Sequence, residues 1–270
     1  MTTLKRILTS IFLILIVSSI IILGDFYYIA VASLISLLCY NEMSTIKQFS
    51  NKRFLNFFGY FFIITLYFVF FKYETQVISI FSKQIIYISI CLIIVSIFEI
   101  IKKSLLTIKN IYFNIFYSIV FICLTIPYAI LIRFHQNGYF DILFIIAIIS
   151  VVDSSAYFSG KLIGQRKLNS ISPNKTIEGT IFGISTGIIT GTIIIGLTNN
   201  SFEIYLPLCI LISIICPLGD LHESLVKRSF NVKDSSNLLP GHGGIYDRLD
   251  GYIFIFPIFY FGKKLILLLC

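Results

Sequence analysis

ILISIICPLGDLHESLVKRSFNVKDSSNLLPGHGGIYDRLDGYIFIFPIF, residues 210–259, passes from hydrocarbon-like chain into a dense polar stretch and back again. Its middle, Gly219 to Asp250, holds five of the thirteen acidic residues, two of the three histidines and four of the twenty-one basic residues. Elsewhere the chain is greasy: 57% of its 270 residues are hydrophobic and 13% charged, and the mean hydropathy is +0.93. A soluble domain has about 45–50% apolar and about 25% charged residues. These values therefore indicate an all-α, polytopic integral membrane protein rather than a large soluble core. The polar stretch is expected to do the chemistry, with the rest holding it at a membrane surface.

At about 20 apolar residues per span, about nine transmembrane helices are expected. They fall near Ile7–Leu23, Phe26–Tyr40, Phe54–Phe71, Ile85–Ile101, Ile111–Ile132, Phe140–Phe158, Ile177–Leu197, Ile204–Leu218 and Tyr252–Leu269, with Val77–Phe81 ambiguous. With the N-terminus cytoplasmic, sixteen of the twenty-one Lys and Arg residues lie on the inner side, leaving Lys72, Lys83, Arg133, Lys263 and Lys264 outside. That asymmetry fits the positive-inside rule. It accounts for the net charge of +8 without nucleic acid as a partner. The start has the charged and apolar regions of a signal peptide but no small-residue cleavage site, and reads as an uncleaved first span.

No soluble domain or linker interrupts this pattern. Residues 1–270 are read as one integral-membrane domain, with scaffold helices in 1–140 and catalytic helices in 141–270. The latter carry polar loops at 159–176 and 219–250, on the cytoplasmic side where nucleotides are. The six cysteines form no C-x-x-C pair, so they are read as apolar filler. Asp141 and Glu42 lie near expected helix ends, where solvated termini are the simplest reading; Glu42 is the one to watch. Lys263 is expected to snorkel to an interface. Gly179, Gly183, Gly187 and Gly191 recur every fourth residue, a stripe for close helix packing inside the chain or for a homodimer seam, the first preferred.

Two constellations carry chemistry. In the first, Asp153 ends an apolar span and shares a helix face with Tyr157, Gly160 and Gly164. A carboxylate at that depth costs about 2.5–3.5 kcal/mol and needs a partner or a task. Ser172-Pro173 then resembles a helix start, with Lys175, Thr176 and Glu178 placed to hold phosphate. In the second, Pro217 and Gly219 are expected to loosen the helix before Asp220. If it resumes, Asp220, Ser224 and Lys227 share a face, with Glu223 beside them. Asp220, Asp234, Asp247 and Asp250 are oxygen donors suited to magnesium. Lys227, Arg228, Lys233 and Arg248 can neutralise phosphates. Gly241, Gly243 and Gly244 permit a nest of amides facing an anion, with His242 in a phosphate-binding or loop-fixing role. The competing reading is a mutually neutralising salt-bridge loop.

Ser224 to Asp250 resembles the signature of the phosphatidate cytidylyltransferase (CDP-diacylglycerol synthase) family: S-x-[apolar]-K-R, four residues, K-D, then P-G-H-G-G and D-R-[apolar]-D. Gly219-Asp220-Leu221-His222-Glu223-Ser224 looks like its GDL-x-ES element. Asp153 to Tyr157, Gly160, Gly164 and Ser172 to Gly179 resemble its other cytoplasmic block. The likeness is specific over about the C-terminal 120 residues; Ile177 stands where family members often have Trp. It implies transfer of CMP from CTP to phosphatidate at the cytoplasmic face of the cell (inner) membrane, with membrane lipids around the chain. It also implies magnesium on Asp220 and Asp247, with a monovalent cation such as K+ beside it. The other readings are a CTP-dependent polyprenol kinase, which releases CDP, and a cation-coupled transporter using Asp153 and Asp220. Neither a second acidic motif nor the D-G-x-x-A-R pattern of CDP-alcohol phosphotransferases is present.

Overall fold

The computed structural model describes residues 19–20, 25–46, 53–72, 111–123, 125–169, 172, 175–239 and 243–269. The expected spans Ile7–Leu23 and Ile85–Ile101, apart from residues 19–20, and the Val77–Phe81 segment lie outside them. Eight helices run through the described residues: α1 Asp25–Ile46, α2 Arg53–Lys72, α3 Ile111–Cys123, α4 Pro127–Arg133, α5 Gly138–Ile163, α6 Ile177–Thr198, α7 Phe202–Ser229 and α8 Tyr246–Leu269. Strand pairing among them is limited to two isolated bridges, Lys167 with Thr176 and Leu239 with Gly243. Among the described residues, six helical stretches are long and apolar enough to cross a membrane, α3 and α4 contributing one together as Phe116–Arg133.

Most boundaries extend the expected ones, because the helices continue past their apolar stripes into polar residues. α7 is the clearest case. It runs unbroken through Pro207 and Pro217 to Ser229, where a loosened end was expected after Leu218. Proline inside a membrane helix is tolerated when neighbouring groups take up the freed carbonyl. Among the described residues the polar stretch is therefore non-helical only over 230–239 and 243–245, its two ends being the last turns of α7 and the first turn of α8. Similarly, α5 extends to Ile163, so that the described residues 164–169, 172, 175 and 176 lie between it and α6.

The glycine stripe of α6 packs inside the chain. All four glycines are buried. A Cβ at Gly183 would stand 2.8 Å from the Val152 carbonyl oxygen and 2.9 Å from the Ala156 Cβ, and one at Gly191 would collide with the Cys209 sulfur. Of the two readings, the stripe seats α5 and α7. The opposite face of α6, with Ile181, Phe182, Ile189 and Ile193, points outward, as a lipid-facing surface does.

Two apolar clusters result. One joins α1, α2 and α3 to the ends of α7 and α8 through Tyr40, Met43, Phe121, Val226 and Phe254. The other fills the space between α5, α7 and α8 with Phe144, Ile148, Leu208, Ile212 and Phe259.

Asp141 and Lys263 correct the expectation of solvated termini. Asp141 is fully buried, and the Lys263 ammonium donates to its Oδ2 at 2.5 Å and to the Tyr205 hydroxyl at 3.0 Å. Tyr205 in turn donates to Asp141 Oδ1 at 2.8 Å. Each charge costs too much alone in an apolar setting, so the two find each other across three helices. On α5 this lock lies twelve residues from Asp153, about 18 Å at the helical rise. Lys263→Met alone is expected to strand the Asp141 charge and destabilise the protein by about 3–5 kcal/mol. Lys263→Met with Asp141→Asn should recover much of that loss, as thermal melting in detergent would reveal; equal melting of the single and double variants would refute the pairing.

Candidate active site

The site forms where the C-terminal turns of α5 and α7 meet the first turns of α6 and α8. Close approach at this end depends on Gly219, where a Cβ would lie 2.5 Å from the Asp250 carbonyl oxygen and 3.0 Å from Gly251 Cα. With hydrogen there instead, α7 and α8 touch backbone to backbone, and their carboxylates converge. Asp220, Glu223 and Asp250 each present an oxygen within 4.8 Å of the others. Two ligands across an octahedral magnesium are separated by about 4.2 Å, twice its usual 2.0–2.1 Å bond. The donor set therefore fits a hard divalent cation in chemistry and spacing.

Two lysines flank these carboxylates. Lys175 pairs with Asp220, both side chains being about seven-tenths covered. Burial pushes the Lys175 amine below its ordinary value, against the opposing pull of Asp250 and Asp153. Lys227 bridges Glu223 at 2.5 Å and Asp247 at 3.1 Å. In this ion-paired set, four carboxylates (Asp220, Glu223, Asp247 and Asp250) face two ammonium groups. Carboxyl groups outnumber ammonium groups by two, so with all four ionised the set suits one divalent cation. Asp153 and Arg248 lie within electrostatic reach and add one charge of each sign.

The loop before α6 folds into a tight return. Leu168 N donates to the Lys175 carbonyl and Ile177 N to that of Arg166. The Glu178 carboxylate accepts the Gln165 and Arg166 amides at 3.1 and 3.2 Å. Thr176 is the N-cap of α6, its hydroxyl accepting the Gly179 amide at 3.1 Å. The helix start expected at Ser172-Pro173 thus falls four residues later, at a residue whose side chain caps it. A Cβ at Gly160 would stand 3.0 Å from the Thr176 hydroxyl, so Gly160 gives that loop its seat. Asp153 accepts a hydrogen bond from the Cys216 thiol at 3.4 Å.

Asp247 is held elsewhere than in the three-carboxylate group. Besides Lys227 it accepts the Ser235 amide at 3.1 Å and the Gly244 amide at 2.9 Å. The Gly244 amide expected to face a phosphate therefore faces a carboxylate of the chain itself. Gly243 has φ of 80°, the left-handed region that favours glycine. Asp234, Lys233, Arg228 and Arg248 are exposed around the rim, Ser224 is half-buried, and Arg228 donates to the Val232 carbonyl at 3.4 Å. His242, Gly241 and Pro173 lie outside the described residues.

Two residues at the site had been noted without being given a role in it. Glu223 was legible as a ligand candidate, because three residues from Asp220 places both on one helix flank. Glu42 was singled out among the helix-end acids as the one to watch, with no partner assigned to it. It is buried on α1 and accepts four hydrogen bonds from residues 235–246.

Comparison with known proteins adds the chemistry that such a site serves. The Cytidylyltransferase family matches residues 4–266. Phosphatidate cytidylyltransferase of Bacillus subtilis (strain 168) is 42% identical over 146 residues, covering 53% of this chain and 54% of that protein. The enzyme of the same name from Staphylococcus haemolyticus is 43% identical over 126 residues, covering 46% and 48%. That from Synechocystis is 41% identical over 129 residues, covering 45% and 42%. The chain spans about half the length of the curated relatives it matches.

Proposed function

This chain belongs to the cytidylyltransferase family, and on that premise we propose that it transfers CMP from CTP to phosphatidate, giving CDP-diacylglycerol and pyrophosphate. The observation that carries the proposal is the convergence of Asp220, Glu223 and Asp250 beside Lys175 and Lys227. Relatives about 40% identical bear the matching name. In the reaction, an ionised phosphate oxygen of phosphatidate forms a bond to the α-phosphorus of CTP, and the bond to the β-phosphate bridge breaks in line with it. The nucleophile is already an anion, so no general base is needed. The work is positioning and charge stabilisation.

Asp220, Glu223 and Asp250 would hold magnesium, Asp247 acting through Lys227, which it shares with Glu223, and K+ is a candidate second cation. The metal supplies charge neutralisation for the triphosphate and the departing pyrophosphate. Lys227, Arg228, Lys233 and Arg248 are assigned to clamp phosphates, with Ser224 on the same flank of α7. Lys175, held by the Thr176-capped loop, approaches from the opposite side with Asp153. Gly243, Gly244 and His242 are assigned to shape the loop over the nucleotide.

We place the protein in the cell membrane as a multi-pass chain of about nine spans, with a cytoplasmic N-terminus. The charge asymmetry along the sequence and the position of both polar loops at one end of the helices support that topology. Both substrates would then meet at the interface, CTP from water and phosphatidate from the bilayer. Purified protein given phosphatidate, magnesium and α-labelled CTP is expected to yield labelled CDP-lipid with one pyrophosphate per turnover. Release of CDP instead would identify a lipid kinase and sink the proposal.

A further inference from the structure

We infer that Glu42 is a positioning residue for the reaction, a carboxylate in the N-terminal half of the chain that sets the pose of the catalytic loop 193 residues away. Each of its oxygens accepts two hydrogen bonds. Oε1 takes the Ser236 hydroxyl at 2.6 Å and the Ile245 amide at 3.0 Å. Oε2 takes the Ser235 hydroxyl at 3.0 Å and the Tyr246 amide at 2.8 Å. The middle of the connection between α7 and α8 and its entry into α8 are thus gathered on one side chain, itself 3% exposed.

The tie reaches the chemistry through Ser235 and the amides that precede Asp247. Ser235 gives its hydroxyl to Glu42 and its amide to Asp247. The amide of Gly244 goes to Asp247, and those of Ile245 and Tyr246 go to Glu42. The two carboxylates therefore divide one turn of backbone between them, and Asp247 passes the register on to Lys227 and so to Glu223. An anion at this point also suits the first turn of α8, whose unsatisfied amides carry partial positive charge. Gly244 completes the arrangement. A Cβ there would collide with the Ser235 hydroxyl and lie 2.5 and 2.6 Å from the two Glu42 oxygens, so the glycine is required by the tie itself.

Glutamine in place of Glu42 keeps shape and burial but turns one oxygen into a donor facing the donors it should satisfy. The inference rests on the cytidylyltransferase reading only for its kinetic arm. In that arm, Glu42→Gln is expected to lower kcat by about tenfold or more while KM for phosphatidate moves by less than about threefold, as befits a group that acts on the loop's pose. The second arm adds no substrate: hydrogen exchange at 235–246 should rise by about tenfold or more, with exchange along α5 and α6 unchanged. Ser236→Ala, at a half-buried position, removes one donor to Glu42 and also frees the Leu238 amide that this hydroxyl accepts, so its exchange is read at Ile245 and Tyr246; it keeps the test open should the glutamine variant fold poorly. It should raise exchange in the same segment, and combined with Glu42→Gln it should add less than the sum of the two. Unchanged exchange at 235–246 in both variants, or raised exchange with an unaltered kcat, would overturn the inference. Loss of the cytidylyltransferase reading would leave the exchange result standing, so the two failures are separable.

Discussion

Asp247→Asn is expected to abolish turnover, lowering kcat by about 10²–10³-fold, the range for loss of one preorganised electrostatic contact, in protein that still extracts and melts as a folded species. The side chain meets an ammonium and two backbone amides, all donors. An asparagine can satisfy them through its one oxygen only, and its NH2 group then faces a donor. The exchange also removes one of the four carboxylates that exceed the two lysine charges, halving the excess that draws a divalent cation. Steady-state formation of labelled CDP-lipid measures the first effect. The magnesium concentration for half-maximal activity, taken from the residual rate, measures the second and should rise. Activity within threefold of wild type would sink the assignment of Asp247 to the reaction.

What could be read in advance divides along the range of the interactions. Apolar spans and polar islands depend on local composition, so α5 to α8 were legible within a few residues at most of their ends, the eleven extra residues of α7 being the main departure. Asp220 and Asp250 were legible, together with Asp234 and Asp247 that lie outside the converging group, because density of charge in a greasy chain is itself a signal. Pairing was another matter. Asp141 and Lys263 stand 122 residues apart, and Glu42 and Tyr246 stand 204 apart. Asp141 and Glu42 each looked like an end-of-helix charge and Lys263 like a snorkelling one, and only the packing of α1, α5, α7 and α8 reveals the partners. The glycine loop misled for a related reason. Its amides suit an anion, as expected, but Gly244 meets Asp247 and sits against Glu42, anions that the chain supplies itself.

Lys227→Met tests the charge balance of the site more severely, because one ammonium serves two carboxylates. Side-chain exposure is 13% for Lys227, 4% for Glu223 and 7% for Asp247, so solvent screens these contacts little. Methionine has comparable reach and no charge. It would leave both acids uncompensated, a loss of about 3–5 kcal/mol for a broken buried pair, and a drop in melting temperature on the order of 10 °C. Turnover should vanish as well, since the same ammonium is assigned to phosphate. Stability and chemistry can be parted by adding Glu223→Gln. That neutralises one stranded carboxylate while Asp247 keeps its bonds to the Ser235 and Gly244 amides, so melting should recover by several degrees. Activity should not return, because the double variant lacks both the phosphate clamp and one of the three converging carboxylates. Recovery of turnover together with stability would show that Lys227 only balances its neighbours, and that phosphate is held by the exposed basic residues of the rim.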